Sequence, residues 1–254
     1  MVDDGSLDGT GAVAQDYCRQ DSRVHLIKKE NGGSASAVNL GLLKAKSDFV
    51  IRLDADDELL PAYSSVLAPF ITSHPEFDIY ASNAFKVYQN GRKEIYHKAP
   101  RFSSVLSLDI EDMIQACQIY GTAAVRTSLF ARIGSLNENR VTAEDYDFWI
   151  RAVAQGARHI YTPEPLALYR MAPGQKTENV IRSRKADISI LESLIDSDFL
   201  TKDQIALAEK KIASLKKNVA FRESVTSLVG PKFSKPLFNV MHKAAWLIRP
   251  HRRK

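Results

Sequence analysis

A chain of 254 residues can bury one substantial core, and 44% hydrophobic with 26% charged residues is the make-up of an ordinary globular protein. The formal net charge is +5, yet residues 231–254 hold seven Lys and Arg and no acid, so the body is slightly acidic and offers no footprint for nucleic acid. Cys18 and Cys117 stand too far apart for metal-site spacing and are too few for a disulfide framework, which suits a reducing compartment. No signal-peptide pattern opens the chain, and no apolar run approaches the ~20 residues needed to span a bilayer. The expected location is the cytoplasm or the inner face of a membrane.

The chain starts with what reads as the end of a strand and a Gly-rich acidic turn, Val2-Asp3-Asp4-Gly5-Ser6-Leu7-Asp8-Gly9-Thr10. Thr10 is a candidate cap for a helix to about Asp21, with Val13, Ala14, Tyr17 and Cys18 on one face. Val24–Ile27 reads as a short strand and Asn31-Gly32-Gly33 as a turn. Ser34 then caps a helix to about Lys46, with Val38, Leu42 and Ala45 on its inner side. The apolar run Phe49–Leu53 suits a strand buried on both faces, and it ends in Asp54, Asp56 and Asp57. Ligands of open α/β sheets sit beyond the carboxyl ends of such strands. Three crowded carboxylates repel one another unless a cation or hydrogen-bond donors offset them. Hard oxygen donors suit Mg²⁺ or Mn²⁺, whereas the same acids could equally be helix-capping residues of a solvated loop.

Pro61 fits the first turn of the next helix, whose apolar face is Val66, Leu67, Phe70 and Ile71, with Pro69 expected to kink or shorten it. Asp78–Ala81 and Phe85–Tyr88 read as strands, and Asn90-Gly91 as a hairpin turn into Glu94–His97. A stretch over 98–118 is irregular and then helical. Ile119–Arg126 reads as a strand, Leu129–Gly134 as a short helix, and Glu144 to about Gln155 as a helix stopped by Gly156. Strands follow near 158–162 and 166–170. The alternation of helix and strand predicts an α/β sheet, mostly parallel, with crossover helices. Residues 176–226 read as largely helical, and Gly230-Pro231 breaks that run.

Four segments in order, Val2–Thr10, Leu53–Asp57, Thr142–Arg151 and Pro163–Arg170, resemble the motifs of the GT-A glycosyltransferases of family 2. The resemblance implies a GT-A, Rossmann-like α/β domain at 1–174 and a helical extension at 175–254. It implies inverting transfer of a sugar from a nucleotide-diphosphate donor, expected to be UDP-linked, to a glycan or lipid-linked hydroxyl. It places Asp4 at the donor's base and ribose, Asn39 and Arg170 at the substrate, and Asp54 toward the ribose. Asp56 falls on a divalent cation, Mg²⁺ or Mn²⁺, with Asp57 assisting through water. Asp145 becomes the general base with Glu144 as the alternative, although the helix dipole by itself favours acids in a first turn.

Three departures from the family pattern stand beside this. Ala37-Val38-Asn39 lacks the Arg found near the diphosphate, Ala172 replaces a His, and the family's first strand and helix have no counterpart before Met1. The last departure raises the expectation of a truncated gene model, a fragment or a misassigned start, and with it the alternative of a non-catalytic nucleotide-sugar-binding relative. Trp149 reads as a core residue more readily than a sugar-stacking one. The tail 232–254, basic with Leu237, Val240, Met241 and Ile248 on one side of a helix, suits either an anionic membrane interface or packing on the domain.

Overall fold

The computed structural model describes all residues except 173–174, 176–177, 231–233, 235 and 239–254. The basic tail therefore lies outside the described residues apart from Ser234 and Pro236–Phe238. No described helix is long and apolar enough to cross a membrane.

Two sheets carry the fold. β1 (Val2–Asp3) and β2 (Ile27–Lys28) pair in parallel around α1 (Thr10–Gln20). The second sheet has six strands: β3 (Phe49–Ile51), β4 (Glu58–Leu59), β5 (Ile79–Tyr88), β6 (Lys93–Ile95), β7 (Ala124–Arg126) and β8 (His159–Met171). Its order is β3-β7-β5-β8-β4, with β6 paired to β5. The α/β architecture with flanking helices agrees with the sequence, but the strand directions are mixed. Among the described strands, β1 with β2 and β5 with β8 run parallel, and the other four pairings are antiparallel.

β3 differs from its expected burial. It pairs only with β7, so it is an edge strand, and Ile51 and Leu53 at its end are 43% and 48% exposed. The long central pair is β5 and β8, each of which was expected as two short strands. Register shifts around Asn83 absorb the Pro163-Glu164-Pro165 interruption, and Asn83 Oδ1 accepts from the backbone of Ala84 and His97 at the irregularity.

α2 (Ser34–Leu42) follows the turn of Gly32 and Gly33, and Gly33 adopts φ +87°, which a side chain would resist. α3 (Tyr63–Ser73) runs through Pro69 rather than ending there. α4 (Ile110–Gln115), α5 (Thr127–Ile133) and α6 (Glu144–Ala154) pack over the central sheet. The main core joins Ile79, Ala81, Val125 and Tyr161 of the strands to Leu129, Phe148, Trp149 and Ile150 of the helices, all buried. Trp149 is a core residue, as expected.

Among the described residues, the C-terminal part is built mainly from two helices. α7 (Val180–Ile195) and α8 (Lys202–Val229) are separated by a turn that composition alone did not reveal. Thr201 starts α8 with a reciprocal capping box to Gln204. Ile188, Leu191 and Leu194 of α7 meet Ala208, Ile212, Leu215 and Val219 of α8 and join the main core.

Candidate functional site

A cleft of about 830 Å³ is lined by residues of β1, α2, β3, β7 and α6. Asp4, Ser34, Arg52, Asp54, Asp57 and Asp145 all face it, above an apolar floor that includes Val38, Leu42, Val50 and Phe148. The two acidic motifs and the first turn, distant in sequence, thus share one opening.

Each acid is held differently. Asp4 accepts from Lys29 Nζ at 2.7 Å and from the backbone N–H groups of Gly32 and Gly33 at 2.9 and 2.8 Å. Burial opposes its charge, but those bonds outweigh it and hold the carboxyl below its ordinary range. Asp4 therefore ties β1 to the glycine turn at the cleft's edge. Asp57 is engaged on both oxygens: Tyr120 Oη donates at 2.5 Å and the Arg170 N–H at 3.2 Å. Burial raises its carboxyl, and these two donors pull it back. The antiparallel pairing of Glu58 with Leu168 brings the Arg170 backbone to Asp57. Asp56 is exposed and accepts from Gln175 Nε2 at 2.9 Å.

The opposite wall is the start of α6. Ala143, just before it, sits in the left-handed region at φ 59°, which only it among the described non-glycine residues adopts. Such backbone costs on the order of 1–3 kcal/mol and collects at functional sites. It turns the chain so that Glu144 and Asp145 enter the helix at the cleft. Glu144 is buried, and its Oε1 accepts from Ser34 Oγ at 2.7 Å and Arg52 Nη2 at 3.1 Å. Burial pushes the Asp145 carboxyl up; Arg52 lowers it, and Glu144 and Asp54 raise it further. A carboxylate with raised proton affinity beside a cleft is suited to general-base work.

Arg52 joins the two walls. Its Nε donates to Asp54 Oδ1 at 2.7 Å and its Nη2 to Asp54 Oδ2 at 3.1 Å and to Ser34 Oγ at 2.9 Å. Burial disfavours its charge, but Asp54, Asp145 and Glu144 hold the guanidinium firmly protonated. Deeper down, Asp147 anchors α6 by accepting from Arg140 Nε at 3.0 Å and Arg151 Nε at 2.8 Å.

Residues 1–134, more than half of the chain, match the model of the family "Glycosyl transferase family 2". The chain belongs to that family. A relative from Bacillus subtilis, "Uncharacterized glycosyltransferase EpsJ", is 27% identical over 191 residues, which is 70% of this chain and 54% of that protein. "Uncharacterized glycosyltransferase MJ1057" of Methanocaldococcus jannaschii is 24% identical, over 63% of this chain and 54% of its own length. The chain thus spans about half the length of these curated relatives. Among solved structures, S. aureus TarS 1-349 in complex with UDP-GlcNAc superposes with a TM-score of 0.66 at 21% identity, covering 90% of this chain and 65% of that one. The mannosyltransferase PcManGT of Pyrobaculum calidifontis, in complex with GDP-Man and Mn²⁺, gives 0.61 at 19%, covering 99% and 71%. These likenesses establish the GT-A fold with its helical C-terminal part.

Two residues expected at the substrate of a family member are engaged elsewhere. Asn39 donates to the Leu136 carbonyl and Glu138 and accepts from the Leu136 N–H, so its amide stitches α2 to the loop before α6. The Arg170 side chain pairs with Glu58 at 2.5 Å, and only its backbone reaches the acidic cluster. Conversely, Arg52, Ser34 and Tyr120 belong to the site without having been singled out. The signal for Arg52 was present: a cation inside an otherwise apolar strand must find partners.

The donor set bears on a divalent cation. Among the described residues, no three His, Cys, Asp or Glu side chains are grouped to enclose an ion. Asp56 nevertheless offers an exposed carboxylate next to Asp54 and Asp57, and hard cations of the Mg²⁺ type are commonly held by one or two carboxylates plus substrate phosphates. The residues fit such a substrate-bridged ion.

Proposed function

We propose that this family member transfers a sugar, with inversion, from a nucleotide-diphosphate donor to a hydroxyl of a glycan or lipid-linked acceptor. The observation that carries the reading is the placement of Asp54 and Asp145 on one cleft, with Arg52 bonded both to Asp54 and to Glu144 beside Asp145. Asp4 and Asp54 form the nucleoside side. Asp145 takes the acceptor's proton as its oxygen attacks the anomeric carbon; Glu144, bonded to Ser34 and Arg52, supports it. Asp56 would hold the cation directly and Asp57 through water, since both Asp57 oxygens already have donors. Such an ion supplies Lewis-acid neutralisation of the diphosphate leaving group. The complexes of TarS with UDP-GlcNAc and of PcManGT with GDP-Man and Mn²⁺ support a nucleotide-sugar donor and a divalent ion. A uridine nucleotide is the donor to test first. We assign the transfer chemistry to 1–174 and treat 175–254 as an extension that buttresses it.

The test is Asp145→Asn across a panel of nucleotide sugars. Donor binding should persist while transfer falls by at least about a hundredfold, the lower end for a lost general base. Loss in Glu144→Gln with full activity in Asp145→Asn would reverse the assignment of the base.

A further inference from the structure

Arg52 stands where a strand feeding an acidic cluster has no need of a cation. Its side chain is 19% exposed, and that of Glu144, its partner on the far wall, 7%. Nε and Nη2 between them meet Asp54, Ser34 and Glu144, from β3's end, α2's first turn and α6's first turn. Ser34 Oγ closes the ring by donating to the same Glu144 oxygen that Arg52 reaches. Nη1 is buried and has no partner among the described residues, so the guanidinium is not fully engaged by this ring. A planar fork with five N–H donors spans three elements in this way; an ammonium, with three donors on one atom, does not reproduce that geometry.

We propose that Arg52 is a positioning residue for proton transfer: it fixes the start of α6 against the donor wall and sets a positive charge among Asp54, Glu144 and Asp145. The inference rests on Asp145 being the base of a glycosyl transfer. Without the cation, Asp145 would face the like charges of Glu144 and Asp54 uncompensated, which raises its carboxyl further. The charged and titratable groups in whose field Asp145 stands are Arg52, Asp54 and Glu144, and its own charge reaches Cys117 and Tyr96. Burial pushes both of these last two up and leaves them neutral, so Arg52 is the cation in that set. Ser34, expected as the cap of α2, is instead its first residue after Gly33, and its hydroxyl is engaged by Arg52 and Glu144.

The experiment compares Arg52→Gln and Arg52→Lys with the unaltered chain. Carboxyl ¹³C resonances of Asp-labelled protein are titrated, the Asp145 signal being assigned by its absence in Asp145→Asn. Arg52→Gln should raise the Asp145 midpoint by at least about one pH unit, the smallest effect of removing an adjacent opposite charge. It should also move the acidic limb of the transfer profile upward by the same amount. Arg52→Lys keeps the charge and not the fork, so the midpoint should stay close to that of the unaltered chain while kcat falls at unchanged donor KM. A folded Arg52→Gln with an unmoved midpoint, or an Arg52→Lys with unchanged kcat, overturns the proposal. If Arg52→Gln does not fold, Ser34→Ala decides, since it opens the ring without touching a charge: kcat should fall, and an unchanged kcat overturns the proposal. If the unaltered chain transfers no sugar, or Asp145→Asn retains transfer, the reading of the reaction fails while the carboxyl midpoints still decide the role of Arg52.

Discussion

Replacing Asp147 with Asn tests whether α6, the helix of the proposed base, is held by charge from behind. The Asp147 side chain is 6% exposed, and its two partners, Arg140 and Arg151, are 15% and 27% exposed. Arg140 also reaches Ser189 and Ser193 of α7, and Arg151 reaches the Ile133 and Ser135 carbonyls. The substitution is nearly isosteric, so it opens no cavity. It leaves two guanidinium groups facing a neutral amide. Removing one partner of a buried pair costs about 3–5 kcal/mol. Both arginines retain their other bonds and some contact with solvent, which places this case at the lower end, about 3 kcal/mol. For a domain of this size, about 2–4 °C per kcal/mol gives a fall in Tm of about 6–12 °C. Calorimetry of the two proteins in matched buffer measures it, and urea midpoints give an independent value. Because the pair is sheltered, raising the salt concentration should change the difference little. A loss below about 1 kcal/mol, the level of an exposed ion pair, would refute the reasoning.

Three further outcomes are expected. Asp56→Asn should abolish the part of donor affinity that a chelator removes from the unaltered protein while leaving Tm intact; equal titration curves for both proteins, with and without chelator, would discard Asp56 as an ion ligand. Acid should unfold the chain through His97 and His159: burial lowers the former to about 4 and the latter to about 3, below an unfolded value near 6.5. Both are neutral when folded, so their stabilisation is complete above pH ~6.5 and is lost as pH falls from there toward 3, by up to about 1.4 kcal/mol per pH unit for each. His159→Phe should flatten that limb, and an unchanged slope in urea titrations between pH 6.5 and 4 would contradict it. Deleting 232–254 should remove sedimentation with anionic vesicles at low salt and leave behaviour with neutral vesicles unchanged; equal sedimentation of both forms would favour a tail packed on the domain.

The parts of the site that could be read from the sequence are those written contiguously. Asp54, Asp56 and Asp57 follow a strand, and Glu144 and Asp145 open a helix, so their mutual placement is local and survives into the fold. Lengths and directions of strands are not local. β8 runs through Pro163 and Pro165 because its partner β5 shifts register around Asn83, a compensation that no window of either strand contains. β4 is two residues long and exists because Glu58 and Leu59 find Leu168 and Ala167 more than a hundred positions away. The partners of Asn39 and Arg170 were hidden for the same reason: nothing near Asn39 announces Leu136, and nothing near Arg170 announces Glu58.

Arg52 shows what a sequence can still signal in such cases. A charged side chain within an apolar run is costly unless its partners arrive from elsewhere, so the anomaly marks a junction even when the partners are unknown. Here the junction joins the strand that delivers the acids to the helix that delivers Glu144 and the proposed base, Asp145. The same helix is pinned on its other side by Asp147. A base that must hold a fixed distance from a substrate bound on another element needs both constraints, because a shift of about 1 Å in such a site can cost a hundredfold in rate. Loss of Asp147 should therefore lower stability and turnover together, whereas loss of Arg52 should lower turnover and move its pH dependence. The two phenotypes separate anchoring of the helix from control of the carboxylate.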